Sequence, residues 1–344
     1  MHKLNHAIPW LPRFSKSSIA VAVAFTVFSG AVPCAHAQAK PPVSPSTEPL
    51  KLVVGFAPGG ALDILARAVA DHLRKSTGQT VLVDNRPGAA SRLAIDYVKR
   101  APPDGNTVLL ASSAPFVIFP MTYKSVNYDV ERDFVPVAHL VEFPGVISTN
   151  VTKPYKTLPQ YVAWARSHPS DGWVGITSLG GTLHFSILAM AKEIGVPLSP
   201  VPYKGGGPLV TDLIGGQVPL GADALPSQLE LHRGGKVRIL AITGTRRNKL
   251  LPDVPTAKEA GINGFDYASF SYSAYVPAGT KPEVTKRLER ALIDAVKDRQ
   301  VFAQLVSIGM EPTGLDGGAL RAQLRAEHAF WRPIVEASGF KSEE

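Results

Sequence analysis

The stretch Lys51-Leu-Val-Val-Gly-Phe-Ala-Pro-Gly-Gly-Ala-Leu-Asp63 decides the fold of this chain. Residues 51–56 are nearly all apolar and predict a short buried strand, which Pro58-Gly59-Gly60 ends. Apolar residues then recur with the period of a helix, at Leu62, Leu65, Ala66, Val69 and Leu73. The predicted unit is therefore a strand, a glycine turn and a helix.

A turn of this kind can receive an anion. The N–H groups at the start of a helix have no partner within the helix and lie beside the positive end of its dipole, so a carboxylate or phosphate can dock there. The two glycines let a ligand approach the backbone closely. Asp63, in the first helical turn, is expected either to cap the helix or to accept a bond from a polar ligand group. A plain connection between strand and helix is the alternative interpretation.

The N-terminal 37 residues resemble a secretory signal peptide. Their basic start contains Lys3, Arg13 and Lys16. An apolar run at 19–28, too short for a stable membrane anchor, precedes the small-x-small cleavage site Ala35-His-Ala37. Cleavage after Ala37 would remove Cys34, the one cysteine of the sequence, and leave residues 38–49 as a flexible tether. Lipidation of Cys34 is the alternative.

Composition limits the partners of the chain. Its 344 residues, 45% of them hydrophobic, are enough for a sizeable core and two ordinary domains. The formal net charge of +8 is spread without a long basic run. Such a charge favours attraction of small anions, and no basic and aromatic platform for nucleic acid is present in the sequence.

The strand, glycine turn and helix pattern recurs along the chain. Glycine turns follow predicted strands again at Ser178-Leu-Gly-Gly-Thr182 and Lys204-Gly-Gly-Gly-Pro208. Strands that alternate with helices predict parallel sheets covered on both faces, with a ligand beyond the carboxyl ends of the strands. Loops of one type on two groups of units therefore predict a cleft between two lobes. Further on, Leu251-Pro-Asp-Val-Pro-Thr256 predicts a helix that extends to Ala260.

Motifs of the common enzyme classes are missing from the sequence. Gly175-Ile-Thr-Ser-Leu-Gly180 lacks the Gly-x-Ser-x-Gly pattern that a serine hydrolase needs for its strained nucleophile turn. Neither a phosphate loop nor a dinucleotide-binding glycine motif occurs, and the histidines lack zinc-ligand spacing. We therefore expect no enzymatic activity, no metal and no cofactor, and a secreted enzyme is the least favoured interpretation.

Several sequence blocks carry a family likeness. They are Val54-Gly-Phe-Ala-Pro-Gly-Gly-Ala-Leu-Asp-Ile-Leu-Ala-Arg67, Val83-Asp-Asn-Arg-Pro-Gly88, Ala101-Pro-Pro-Asp-Gly105, Val201-Pro-Tyr-Lys-Gly-Gly206, Asp212-Leu-Ile-Gly-Gly-Gln-Val218, Leu251-Pro-Asp-Val-Pro-Thr256, Val276-Pro-Ala-Gly-Thr280 and Ile308-Gly-Met-Glu-Pro312. In this order they resemble the Bug-type substrate-binding proteins of tripartite tricarboxylate transporters, over essentially all of the chain after residue 37.

The resemblance implies an α/β fold, a two-lobed clamshell of the periplasmic-binding-protein type with the ligand cleft between the lobes. Lobe 1 would comprise residues 50–148 and 275–344 and lobe 2 residues 149–274, with crossings near 147–151 and 272–276. It also implies a periplasmic receptor that binds a small carboxylate through backbone amides and ordered waters and delivers it to membrane transporter subunits. A monomer without nucleic-acid partners is expected. A ligand sensor for a membrane signalling partner is the alternative function.

The family's ligand loops are carried over residue by residue. The matching positions are Phe56, Ala57, Gly59, Gly60, Ala61, Leu62 and Asp63 in the first loop, Ser112 and Ser113 in the second, Thr177, Ser178, Gly181, Thr182 and His184 in the third, Tyr203, Lys204 and Gly205 in the fourth, and Asp223 with Ser227 in the fifth. For His184 and Asp223 a purely structural role is the alternative. Ala61-Leu62 replaces the Ser or Thr that is common in the family. This departure suggests a ligand with an apolar or aromatic body, unlike citrate.

Overall fold

The computed structural model describes residues 48–203 and 205–342. The predicted signal peptide with Cys34, residues 38–47 of the tether, and Lys204 lie outside the described residues. Within the described ranges, no helix combines the length and apolar character needed to span a membrane.

The strands are short and mostly buried. In chain order they are β1 (Leu50–Val54), β2 (Val81–Asn85), β3 (Thr107–Ser112), β4 (Phe134–Phe143), β5 (Gly145–Asn150), β6 (Trp173–Ile176), β7 (Ser199–Pro202), β8 (Leu220–Ala224), β9 (Val237–Ile242), β10 (Phe270–Pro277) and β11 (Glu311–Asp316).

Helices follow most of these strands. In chain order they are α1 (Ala61–Thr77), α2 (Arg92–Lys99), α3 (Ala114–Val117), α4 (Phe119–Thr122), α5 (Val130–Asp133), α6 (Leu158–Ser167), α7 (Thr182–Ile194), α8 (Gly206–Ile214), α9 (Leu225–Arg233), α10 (Pro282–Lys297), α11 (Arg299–Ser307) and α12 (Gly317–Ser338). The predicted strand, glycine turn and helix units are confirmed at β1–α1, β6–α7 and β7–α8.

The strands form two sheets in the described part of the chain. The first has the order β11-β4-β10-β3-β1-β2 and the second the order β7-β6-β8-β5-β9. Strands joined by a helix are parallel, as predicted: β1 with β2 and β3, and β6 with β7 and β8. The expectation of parallel sheets holds only in part, because β10 and β5 run antiparallel to their neighbours and β11 pairs antiparallel with β4. Both sheets are therefore mixed: β5 enters the second sheet directly after β4, and β10 is the first strand after the chain returns to the first sheet.

Both sheets are covered on two faces, as predicted. The first sheet packs on α1 and α10 through residues such as Leu65, and on α2 and α12 through residues such as Trp331. The second sheet packs on α7 through a core that contains Ile187, and on α8 through a separate, smaller cluster that contains Leu209. The two-lobed clamshell fold is thereby confirmed.

The chain passes between the sheets twice. Pro144 alone separates β4 of the first sheet from β5 of the second, and the return occurs between β9 and β10. The predicted crossing at 147–151 overlaps the end of β5, and the one at 272–276 falls inside β10. The predicted lobe limits stay a prediction. The sheet to which each strand belongs favours limits a few residues earlier in the chain than those predicted.

Candidate functional site

The α1 loop, residues 55–60 between β1 and α1, is fixed by the carboxylate of Asp63. This buried side chain accepts hydrogen bonds from the Gly59 N–H at 2.9 Å, Arg67 Nε at 2.8 Å and Asn85 Nδ2 at 2.9 Å. Asn85 also donates to the Phe56 carbonyl at 3.1 Å. Cap and ligand contact are the two roles predicted for Asp63; in the structure its carboxylate supports the loop.

The charge of Asp63 is stabilised by these bonds. Burial by itself raises the pKa of the carboxyl, but the hydrogen bonds from Arg67, Gly59 and Asn85 outweigh it and hold the pKa below its usual value. Asp63 is therefore ionised at neutral pH. Asn85 was not predicted, although its place at the end of β2, beside the end of β1, is a signal that sequence could supply.

The start of α1 presents N–H groups rather than side chains. Gly60 is the N-cap residue, at φ −78° and ψ 169°, and no side chain caps the helix. The first intrahelical bond runs from Ile64 N to the Gly60 carbonyl at 3.0 Å, so the N–H groups of residues 61–63 precede it. Backbone donors therefore mark this end of the loop.

The side chain of Leu62 does not provide the apolar ligand contact that was predicted for Ala61-Leu62. Leu62 is 1% exposed and belongs to the hydrophobic core of the first sheet, so its side chain faces away from the loop surface. Only its backbone N–H remains available there. The apolar character of the loop surface comes instead from the half-buried Ala61, from the exposed Ala57, and from Phe56, which is 42% exposed.

The two serines at the end of β3 differ in their surroundings. Ser113 is buried and hydrogen-bonded to Glu327 of α12, a carboxyl whose pKa burial raises. Ser112 is half-buried and lies opposite Tyr272 of β10 in the first sheet. The Ser113 side chain is therefore bonded to α12, and Ser112 remains the serine predicted to contact a ligand.

Asp223 joins three segments at the carboxyl ends of β6 and β8. It accepts bonds from Thr177 Oγ1 at 3.0 Å and from Ser227 Oγ at 2.5 Å. A Cβ at Gly206, the first residue of α8, would lie 2.6 Å from Asp223 Oδ2, so only glycine fits beside it. Burial raises the pKa of Asp223, while the bonds from Ser227, the Ala224 N–H and Thr177 lower it; the net shift is upward. Asp223 therefore organises this group. Gly206 lies in the predicted fourth loop, but its contact with Asp223 was not predicted.

The α7 loop, residues 177–181, is held by His184. The Gly180 N–H donates to His184 Nδ1 at 3.2 Å, and the ring is buried. Burial lowers the pKa of His184 to about 4, so at neutral pH the imidazole is neutral and its proton lies on Nε2. Of the two roles left open for His184, the structure shows the packed one.

The start of α7 also lacks a side-chain cap. Gly181 is its N-cap residue, at φ −89° and ψ 175°, and the first intrahelical bond runs from Phe185 N to the Gly181 carbonyl at 3.3 Å. Thr182 is buried and Ser178 half-buried, with the Ser178 hydroxyl donating to the Leu179 carbonyl at 3.4 Å. The donors of this helix start are again backbone groups.

The third glycine-led helix is α8. Gly205 is its N-cap residue, at φ +113°, a conformation that favours glycine, and no side chain caps the helix. The hydroxyl of Tyr203 donates to Asp212 Oδ2 at 2.8 Å. Burial, together with Asp212, raises the pKa of Tyr203 to about 12. Tyr203 therefore supports α8 with its hydroxyl.

The glycine-led helices contrast with several others in the described part of the chain. In α6, α11 and α12 the side chains of Thr157, Asp298 and Asp316 accept from backbone N–H groups of the first turn. Such caps satisfy N–H groups internally. At the starts of α1, α7 and α8 no side chain caps the helix, so their first N–H groups can bind an acceptor from outside the helix. All three helices begin at the carboxyl ends of parallel strands.

Aromatic side chains of β4 and β10 pack together in the first sheet. Phe143 packs on Tyr272 with ring centroids 4.9 Å apart and stacks on Phe270 at 5.5 Å. Burial, and to a lesser extent the charge of Asp223, raises the pKa of Tyr272. The charge of Asp223 in the second sheet is thus felt by Tyr272 in the first.

Two surface cavities lie elsewhere. One, of about 530 Å³, is lined in part by Lys51 and Tyr97; the other, of about 650 Å³, is lined in part by His72 and Arg290. Among the described residues, neither cavity contains a predicted site residue.

Comparison with known proteins supports one family. A family model described as "Tripartite tricarboxylate transporter family receptor" matches residues 65–340. Protein BugT of Bordetella pertussis is 33% identical over 304 residues, which cover 87% of this chain and 93% of BugT.

Solved structures are similar over nearly their whole length. The structure of R. palustris Rpa4515 with adipate is 31% identical with a TM-score of 0.81, covering 86% of this chain and 99% of that one. MatC (Rpa3494) from Rhodopseudomonas palustris with bound malate is 29% identical with a TM-score of 0.75, covering 83% and 98%.

Proposed function

The chain belongs to the tripartite tricarboxylate transporter receptor family, and from this premise we propose that it binds a small dicarboxylate and delivers it to a membrane transporter. The family consists of periplasmic solute receptors, which are binding proteins and not enzymes. Similar proteins have been solved with adipate and with malate, both dicarboxylates. These ligands support the class proposed here.

The observation that carries the proposal is the set of glycine-led helix starts at α1, α7 and α8. Each offers backbone N–H groups beside the positive end of a helix dipole, and none is capped by a side chain. Helix α1 follows a strand of the first sheet, and α7 and α8 follow strands of the second. One carboxylate of a ligand can therefore dock on the loops of each sheet. A dicarboxylate fits that division.

The buried carboxylates support this arrangement without competing for the ligand. Asp63 and Asp223 are each bonded to groups of the protein itself, and these bonds fix the α1 loop and the segments around β8. A preorganised set of neutral donors can hold a carboxylate without a buried cation, whose desolvation would be costly. Closure of the lobes would then shield the ligand from water.

We also propose that the ligand has an apolar body. Phe56, Ala57 and Ala61 supply apolar surface at the α1 loop, where family members commonly have a hydroxyl side chain. Adipate and longer-chain or aromatic dicarboxylates should therefore bind more tightly than citrate. Tighter binding of citrate would contradict this part of the proposal.

A thermal-shift panel tests the binding proposal. The protein lacking residues 1–37 is heated with adipate, malate, citrate, an aromatic dicarboxylate and acidic amino acids. A ligand that binds only the native state at 100 times its Kd stabilises it by about 2.7 kcal/mol, so the matching acid should raise the melting temperature by several degrees. Well-folded protein that responds to none of the acids would contradict the proposal.

Delivery to a transporter is tested in cells. Deletion of the gene should abolish uptake of the acid identified by the panel and leave acid-dependent transcription unchanged. The opposite result would favour the sensor function. Light scattering of the purified protein should give the mass of a monomer, and mass spectrometry of the periplasmic protein should show an N-terminus at residue 38.

A further inference from the structure

The C-terminal tail, residues 340–342, is attached to α4 of the first sheet. Helix α12 ends at Ser338 and is followed by Gly339, whose φ of +64° turns the chain. The Ser342 N–H then donates to the Thr122 carbonyl at 2.8 Å, and Lys341 Nζ donates to the Met121 carbonyl at 3.0 Å. These bonds fix the path of the tail.

This path directs the ring of Phe340 onto the start of α7. Its centroid lies 4.7 Å from that of His184 at an interplanar angle of 73°, and 5.9 Å from that of Phe185 at 80°. Both are edge-to-face arrangements, which aromatic pairs favour. A side chain at Gly180 would meet the same ring at 3.5 Å, so the ring also borders the α7 loop.

A chain of contacts thus runs from the tail to a ligand loop. Phe340 packs on His184, and His184 Nδ1 accepts from the Gly180 N–H. We propose that the C-terminal tail holds the α7 loop in its binding conformation, with Phe340 as the positioning residue. This inference rests on the proposed function, because it assigns the α7 loop to ligand binding.

The protonation state of His184 explains how the contact works. Burial keeps the pKa of this histidine at about 4, and no charged group contributes to the shift among the described residues. An imidazolium has no free lone pair and cannot accept the Gly180 bond. Removal of the Phe340 ring would admit water, raise the pKa toward the usual 6.5 and loosen the loop.

Three variants test the proposal on the whole protein. Phe340→Ala removes the ring, Phe340→Leu restores apolar packing, and Phe302→Ala is the control, since Phe302 is an aromatic residue of α11 that is 43% exposed. Hydrogen exchange of the Gly180 amide and NMR titration of His184 report on the contact without any ligand. Calorimetry with adipate reports on binding.

The alanine variant should exchange the Gly180 amide about tenfold faster, titrate His184 near its usual pKa and bind adipate about tenfold more weakly. Phe340→Leu should recover most of each change, and Phe302→Ala should match the wild type. Unchanged Gly180 exchange and His184 titration in folded Phe340→Ala would overturn the proposal. If that variant does not fold, wild-type exchange in Phe340→Leu overturns it equally.

Different measurements test ligand binding and the positioning role of Phe340. A wild-type protein that binds no acid contradicts the proposed function, while the exchange and titration measurements still decide whether Phe340 positions the loop. If Phe340→Ala exchanges the Gly180 amide faster but binds adipate with wild-type affinity, the role of the tail in ligand binding is contradicted, while its role in positioning the α7 loop stands.

Discussion

Replacement of Gly60 with aspartate should weaken carboxylate binding strongly and leave the protein folded. Gly60 has the extended conformation, φ −78° and ψ 169°, that aspartate adopts as an N-cap residue. A Cβ at this position would meet the Ala57 carbonyl at 3.6 Å, an ordinary contact. The new carboxylate would accept the N–H groups of Leu62 or Asp63 and place its charge where the ligand is proposed to dock.

The size of the effect follows from the hydrogen bonds that the ligand loses. A hydrogen bond to a charged group contributes about 1.5 kcal/mol at the lower end, so losing two costs about 3 kcal/mol, or roughly 100-fold in Kd. Exchange of glycine for aspartate at an N-cap changes helix stability by only about a few tenths of a kcal/mol. Binding and stability should therefore separate clearly.

Calorimetry with adipate, or with the acid that gives the largest thermal shift, measures the loss, and thermal unfolding without ligand monitors the fold. Gly60→Ser caps the same N–H groups without charge and should bind with intermediate affinity. Lys281→Asp, which places an aspartate at the uncapped start of α10, should bind as the wild type does. Undiminished affinity in folded Gly60→Asp would refute the assignment of the ligand carboxylate to α1.

Three further predictions concern the buried groups. Gly206→Ala should weaken adipate binding at least about tenfold and cost about 1–3 kcal/mol, because its Cβ would lie 2.6 Å from Asp223 Oδ2, whereas Gly207→Ala, with open space around it, should change neither calorimetric Kd nor urea midpoint. Asp63→Asn should cost about 1–3 kcal/mol in urea unfolding at pH 7. Since the folded-state pKa of Asp63 lies below the usual 3.8, that difference should shrink as the pH falls through 3.8 and below; a difference independent of pH would contradict the ionised carboxylate. The pKa of His184 is lowered from 6.5 to about 4, so the unfolded state binds its proton first, and this residue should reduce the free energy of unfolding by up to about 3 kcal/mol between pH 6.5 and pH 4; an NMR titration of His184 near 6.5 would contradict this.

The sequence predicts the local units well because strand, glycine and helix signals are short-range. Gly60, Gly181 and Gly205 all lie where the pattern places them, at the starts of α1, α7 and α8. The burial of Leu62 was also predictable, since the apolar period of α1 already contains it. A loop position that belongs to the helical core stripe supplies a backbone group to the loop and its side chain to the core.

Roles that depend on distant partners were not predictable. Asp63 is held by Asn85 and Ser113 by Glu327, and no local pattern joins these pairs. The bonds that hold the side chains of Ser113 and Asp63 went unpredicted for this common reason. The antiparallel strands β5 and β10 were missed for the same reason, because their direction follows from the crossings between the sheets.

The predicted helix from Thr256 to Ala260 is wrong in an instructive way. Its capping box forms: Thr256 N–H donates to the Glu259 carboxylate, and the Glu259 N–H donates to Thr256 Oγ1. A single turn follows, because Gly261 at φ +83° ends it and the Ile262 N–H returns to the Ala257 carbonyl. The sequence therefore predicts the capped start at Thr256 correctly, but Gly261, five residues later, ends the segment after one turn.

The most direct measurement of the central claim is an NMR titration of backbone amides with adipate, or with the acid that raises the melting temperature most. If glycine-led helix starts receive the ligand carboxylates, the largest shifts should fall on the amides of Ala61, Thr182 and Gly206 and their neighbours in the first turns. Shifts confined to other surfaces, such as the cavity lined by His72 and Arg290, would contradict the account.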